Sequence, residues 1–104
     1  MATRRRVVWS QRALHDLDEV LSHIAKDSAQ GAASVARSAL ELAGSLSTLA
    51  ERGRVVPEIE RPSIREVFVY RYRLIYRVEA RQFTVVAFLH GARDFATWRR
   101  ETDR

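Results

Sequence analysis

The chain has 104 residues, of which 46% are hydrophobic, enough for one compact core and too few for a second folded domain. It contains no cysteine, which excludes disulfide bridges, thiolate nucleophiles and cysteine-based zinc sites. Its 18 basic and 13 acidic residues give a net charge of +5, and Lys26 is the only lysine. Because arginine binds phosphate and carboxylate groups in a planar, bidentate way, this excess favours a nucleic acid or an acidic protein as partner. A genomic preference for arginine codons would produce the same ratio.

The sequence lacks the run of about 18 apolar residues that a membrane-spanning helix needs. A basic run at 4–6 is followed only by Val7, Val8 and Trp9 before polar residues begin, and this stretch is shorter than the apolar region of a secretory signal. We therefore expect a cytoplasmic protein that does not contact a membrane.

The N-terminal half of the sequence predicts a strand followed by two helices. Residues 4–9 fit a short strand that ends before a serine of good N-cap type. Apolar residues then recur at helical spacing from Leu14 to Ile24 and, after a turn-prone stretch, from Val35 to Ala50. Gly53 fits the C′ position of the second helix. Residues 11–52 are therefore predicted to form an αα-hairpin.

The C-terminal half predicts a loop followed by antiparallel strands. Residues 54–62 hold both prolines and show no periodicity, so they are predicted to form a loop. Beyond them, stretches rich in β-branched and aromatic residues are separated by short breaks at 64–70, 72–79 and 83–90. Links this short make consecutive strands antiparallel. The tail at 91–104 fits either a short final helix or a strand extension.

Alternation along the predicted strands assigns side chains to the two faces of the sheet. In the middle strand, the apolar set that should pack on the helices is Tyr72, Leu74, Tyr76 and Val78. This arrangement places Arg73 and Arg77 on the open face. In the last strand, one face is predicted to carry Phe83, Val85, Ala87 and Leu89, and the other Thr84, Val86, Phe88 and His90.

The most specific motifs are Tyr-Arg-Tyr-Arg-Leu-Ile-Tyr-Arg-Val at 70–78, which enters the predicted hairpin, and Phe-Leu-His-Gly-Ala-Arg-Asp at 88–94, which leaves it. With the order of elements, they resemble the RelE/ParE toxin superfamily of bacterial type II toxin–antitoxin systems. The resemblance implies an α+β fold of order β-α-α-β-β-β, an αα-hairpin packed on a mainly antiparallel twisted sheet. The expected single domain, 1–104, comprises a first strand (1–9), a helical hairpin (11–52), antiparallel strands (64–90) and a C-terminal tail (91–104).

Two modes of action occur in this superfamily. RelE-like members cleave mRNA in the ribosome, whereas ParE-like members inhibit DNA gyrase and are not nucleases. By motif, the phosphate-stabilising arginines of the nuclease branch fall on Arg73 and Arg93. Proton transfer would then fall to His90, favoured by its near-neutral pKa, or to Glu66.

The sequence departs from the nuclease branch in the groups that transfer protons. The strand before the hairpin has no lysine pair, and no tyrosine follows Tyr76. The helical hairpin is also long, as in ParE-like members. We therefore expect a ParE-like gyrase inhibitor that arrests growth. The alternatives are a RelE-like ribosome-dependent mRNA endonuclease and a non-toxic module that binds nucleic acid or protein.

The resemblance also implies a cognate acidic antitoxin, a toxin–antitoxin hetero-oligomer, and gyrase or the translating ribosome as target. The side chains expected to bind antitoxin or target are Arg65, Arg73, Arg77, Arg93 and Trp98. The arginines would otherwise only solvate the sheet or pair with nearby carboxylates.

We expect no cofactor and no metal site. His15, Glu19 and His23 share one polar helix face, but side chains on alternate turns rarely converge on one ion.

Overall fold

Two helices and a five-stranded sheet form the fold in this computed structural model, which describes residues 4–50 and 52–93. The elements are β1 (Arg6–Trp9), α1 (Gln11–Ala25), α2 (Ala29–Ser45), β2 (Arg54–Val55), β3 (Ile64–Val69), β4 (Tyr72–Val78) and β5 (Gln82–His90). The strand order is β1-β5-β4-β3-β2, with β1 parallel to β5 and the other neighbours antiparallel. The predicted α+β fold is confirmed. Neither of the helices described is long and apolar enough to cross a membrane.

Serine caps begin both helices. The Ser10 hydroxyl accepts a hydrogen bond from the Ala13 N–H at 3.0 Å, and the Ser28 hydroxyl accepts one from the Gly31 N–H at 2.8 Å. Each cap satisfies a backbone donor that the first helical turn leaves without a partner. The short turn between the helices makes them antiparallel neighbours, as predicted.

The second helix ends earlier than predicted, at Ser45. The Ser45 hydroxyl donates to the Leu42 carbonyl at 2.7 Å, and the Leu46 N–H bonds both Leu42 and Ala43 carbonyls, so the last turn tightens and stops. Gly53 is therefore not the C′ residue. It is buried, and a Cβ there would lie 2.5 Å from the Glu66 carbonyl oxygen, so close backbone packing requires glycine.

The segment predicted to be a loop contains the short strand β2. Arg54 pairs with Glu66, and Val55 pairs with Arg65. Two residues are too few to leave a periodic pattern in the sequence. The chain beyond β2 crosses the sheet face opposite the helices, called here the outer face, where Val56 is fully buried.

The predicted faces of β4 are confirmed, whereas those of β5 are wrong beyond Val85. Leu74 and Tyr76 are fully buried in the core beneath the helices. A β-bulge opposite Ile75 and Tyr76 places one extra residue, Val86, in β5. The bulge reverses the alternation. The helix side then carries Phe83, Val85 and Phe88, and the outer cluster contains Ala87 and Leu89.

A buried carboxylate joins α1 to β5. Pairing between β1 and β5 ends near Ser10, whose N–H donates to the Val85 carbonyl at 3.0 Å. Further along β5, the Phe88 N–H donates instead to Asp16 Oδ2 at 3.2 Å. Asp16 is 4% exposed and also accepts a hydrogen bond from Arg12. Helix α1 thus provides the acceptor for a backbone N–H of β5 that lies beyond the end of β1.

Candidate functional site

Arg73 lies at the centre of the predicted site, but it is not on an open surface. It lies on the predicted face of the sheet, away from the helices, but its side chain is only 6% exposed, so the prediction that this face is open is wrong. Nη1 and Nη2 donate to the two carboxylate oxygens of Glu58, each at 2.8 Å, and Nε donates to Glu66 Oε1 at 2.7 Å. The Arg73 guanidinium is therefore hydrogen-bonded to two carboxylates at once.

Glu66 is buried more completely than the arginine it binds. Its side chain is 0% exposed, and Oε2 accepts a hydrogen bond from Arg54 Nε at 2.6 Å. The Arg54 guanidinium lies 5.5 Å from the ring centroid of Phe68. Pairing of β2 with β3 brings Arg54 opposite Glu66. Arg54 and Arg73 thus both bind the buried carboxylate of Glu66. Together with Glu58, these residues form an ion network on the outer face.

The network changes the chemistry open to Arg73. Its hydrogen bonds to Glu58 raise the pKa of the Arg73 guanidinium above the ordinary value; burial opposes this effect, and Glu66 reinforces it. The guanidinium is thus a permanent cation whose donors face carboxylates. A phosphate could bind it only by displacing Glu58 or Glu66.

Of the other two residues in the predicted catalytic set, Arg93 lies beside the Arg73 guanidinium and His90 does not. His90 pairs in register with Tyr72, and the two rings meet edge to face at a centroid distance of 5.7 Å. Because Tyr72 packs on the helix side, His90 and Arg73 lie on opposite faces of the sheet. Arg93 is exposed, and its carbonyl oxygen accepts a hydrogen bond from Arg73 Nη1 at 3.4 Å.

The predicted binding residues do not share one surface. Arg77 is half-exposed on the outer face, with Nε 2.9 Å from Glu79 Oε1. Arg65 projects to the helix side, where its Nη1 donates to the Gly53 carbonyl at 2.9 Å. Trp98 lies outside the described residues.

A groove of mixed polar and apolar lining, which the sequence did not predict, runs along the edge of β3. It is lined by Ser38, Glu41, Leu42, Ser45, Phe68, Val69 and Tyr70. Phe68 is 50% exposed and Tyr70 is 66% exposed. β2 pairs with β3 only at Arg65 and Glu66, so no strand in the described residues covers the edge at 67–69. One signal was available, since Phe68 and Tyr70 are large aromatic residues at the hairpin end of the predicted strand at 64–70.

Tyr70 has an uncommon backbone conformation at the tip of the β3–β4 hairpin. Its φ is 54°, a left-handed value that disfavours non-glycine residues by roughly 1–2 kcal/mol. A second groove, lined in part by Val35, Arg71 and Tyr72, adjoins it on the other side. Tyr70 therefore projects between two grooves in a conformation that the hairpin imposes, as happens at many binding sites.

Comparison with known proteins identifies the family. The family model described as "ParE toxin of type II toxin-antitoxin system, parDE" matches residues 7–95. Among solved structures, "Chromosomal ParDE TA system from P. aeruginosa" shares 19% identity at a TM-score of 0.68, covering 84% of this chain and 96% of that one. At this identity the structural likeness shows the fold alone. No protein of curated function matches the sequence. Because the family model matches most of the length of this chain, the chain belongs to the ParE toxin family of type II toxin–antitoxin systems.

Proposed function

We propose that this toxin inhibits DNA gyrase and is neutralised by a cognate antitoxin. Family membership supports the first part, because the ParE-like branch of the superfamily acts on gyrase. The observation that carries the choice over mRNA cleavage is the position of Arg73, which is buried and bound by Glu58 and Glu66.

Cleavage of RNA by its 2′-hydroxyl needs cations at phosphorus together with groups that accept and donate protons. If phosphate displaced the carboxylates from Arg73, Glu66 would keep only Arg54 as its charged partner while fully buried. An uncompensated buried carboxylate is costly. His90, on the opposite face of the sheet from Arg73, is badly placed to act on the same phosphate.

The groove beside β3 is the surface we propose for the antitoxin. Phe68 and Tyr70 offer apolar area, and the uncovered edge at 67–69 offers backbone donors and acceptors to an extended segment. Arg54, with a side chain 59% exposed, lies over Phe68 at its rim. An acidic segment that folds on binding would therefore find both apolar and charged contacts.

Induction of the toxin in growing cells tests the choice between targets. We expect reporter plasmids to lose negative supercoiling within minutes, while mRNA ends in translated reading frames stay as in uninduced cells. Codon-phased cuts with normal plasmid topology would contradict the proposal and favour the RelE-like alternative. Unchanged growth and unchanged topology would favour a non-toxic binding module.

A further inference from the structure

Five arginines meet at the end of the sheet farthest from the β3–β4 hairpin. This basic end consists of Arg4, Arg5, Arg6, Arg77 and Arg81. The Arg6 N–H donates to the Arg81 carbonyl at 2.9 Å, and Arg5 Nε donates to the Glu79 carbonyl at 2.7 Å. Parts of the chain separated by more than 70 positions are thereby held side by side.

Little at the basic end neutralises its charge. In the stretches 4–10 and 76–84 the only acidic residue is Glu79, and Arg77 pairs with it at 2.9 Å in a contact that is about half exposed. Arg6 donates to the neutral side chain of Gln82 at 3.0 Å. The five arginines and Glu79 therefore sum to a formal charge of +4 at the basic end.

The basic end presents a polar surface on the outer face. Val7 packs on the helix side, so Arg6 projects outward, whereas Arg5 lies on the side of Val7. Arg77 projects outward from β4, with β5 lying between the two strands. The strand spacing separates the two arginines by about 10 Å. Between them, Gln82 Nε2 donates to Thr84 Oγ1 at 3.3 Å.

Protection of the β1 edge explains only part of this cluster. A basic start to an edge strand discourages pairing with another chain, which accounts for Arg4 to Arg6. Arg77 belongs to the interior strand β4, and Arg81 to the turn before β5. Neither residue guards an edge, so a ligand that attracts the cations at this end of the sheet is the better explanation.

We propose that the basic end binds the phosphate backbone of double-stranded DNA. A duplex carries one negative charge per about 1.7 Å of its axis, and several arginines on one surface meet several phosphates at once. Single strands are bound by stacking on aromatic side chains, but the exposed aromatic residues described, Phe68 and Tyr70, lie at the opposite end of the sheet.

A protein partner suits this surface less well. Stable protein interfaces need apolar anchors. The large apolar side chains that the described residues expose are Leu14, Leu40, Leu49, Phe68 and Tyr70, and none belongs to β1, β4 or β5. DNA binding does not rest on gyrase inhibition, because it is a property of the isolated toxin.

Fluorescence anisotropy with a labelled DNA duplex of about 20 base pairs tests the proposal across salt concentrations. The variant is Arg6→Gln with Arg81→Gln. Its control removes the same charge elsewhere, with Arg37→Gln on α2 and Arg71→Gln in the hairpin turn; all four side chains are exposed. Thermal unfolding of each variant verifies that it is folded.

We expect the first variant to bind the duplex at least about tenfold more weakly at low salt, and to flatten the slope of log affinity against log salt by about 1.8, or 0.9 per lost phosphate contact. The control should keep the wild-type slope. Equal losses in the two variants would overturn the proposal, as would tighter binding of a single strand of the same length. Equal affinity for poly-glutamate would point instead to an acidic protein and would also overturn it.

Discussion

Arg73 and Glu66 form an ion pair that is almost fully removed from solvent, with Nη2 2.6 Å from Oε1 and side chains 6% and 0% exposed. Two charges in such a place are tolerated only because each has further partners: Glu58 for the arginine and Arg54 for the carboxylate. Arg73, which the sequence motif assigned to catalysis, thus holds two carboxylates in place on the outer face.

Loss of this pair should cost stability. We expect Arg73→Ala to lower the free energy of unfolding by about 3–5 kcal/mol, because the buried Glu66 carboxylate keeps only one of its two arginine partners. Urea denaturation measures the change. Arg77→Ala on the same strand breaks only the half-exposed pair with Glu79, and should cost less than about 1 kcal/mol. Similar losses in the two variants would contradict a structural role for the buried pair.

The pH dependence of this contribution follows from the raised pKa of Arg73, caused first by its hydrogen bonds to Glu58. A raised folded-state pKa gives stability that is fully present below the unfolded value and is lost only as pH rises through the folded value. The folded-state and unfolded-state pKa values of Arg73 both lie far above pH 7. The difference in unfolding free energy between wild type and Arg73→Gln should therefore be constant from about pH 7 to 10. A difference that shrinks within this window would contradict the assignment.

Asp16 provides a second test of a buried carboxylate. Asp16→Ala leaves the Phe88 N–H without its acceptor on α1, and should lower the unfolding free energy by about 1–3 kcal/mol. Asp18→Ala, at an exposed position on the same helix, should change it by less than about 0.5 kcal/mol. Chemical denaturation of both variants gives the comparison. Equal effects would show that the contact between helix and strand contributes nothing.

Two glycines should respond oppositely to the same substitution. Gly53→Ala would place a Cβ 2.5 Å from the Glu66 carbonyl oxygen and 2.6 Å from the Tyr76 hydroxyl oxygen, so we expect a lower melting temperature. Gly44 lies in α2 with nothing within 4 Å of such a Cβ. Gly44→Ala should stabilise the chain by about 0.5–1 kcal/mol, because alanine is the better helix former. Calorimetry resolves both signs, and a stabilising Gly53→Ala would refute the close approach.

The groove proposed for the antitoxin predicts a selective loss of binding. Phe68→Ala should weaken the antitoxin by about 2 kcal/mol, since aromatic anchors dominate such interfaces. Leu40→Ala is the control, because Leu40 is 55% exposed on α2 but does not line the groove. Titration calorimetry with the cognate antitoxin measures both. A larger loss of affinity for Leu40→Ala would indicate that the antitoxin binds another surface.

Local patterns in the sequence were enough to predict the helices and the faces of β4, because apolar periodicity depends on near neighbours. They could not reveal the burial of Arg73, since Glu58 reaches it only after the chain beyond β2 folds across the outer face. The bulge at Val86 was equally hidden, and it alone decides that His90 faces the helix side. The roles of Arg65, Arg73, Arg77, Arg93 and Trp98 in binding stay predictions.

A supercoiling assay with purified gyrase and relaxed plasmid tests the proposed activity most directly. Adding the toxin in excess should leave the plasmid relaxed, and preincubating the toxin with its antitoxin should restore supercoiling. Full supercoiling at every toxin concentration, with a toxin that is folded and still binds its antitoxin, would contradict gyrase as the target.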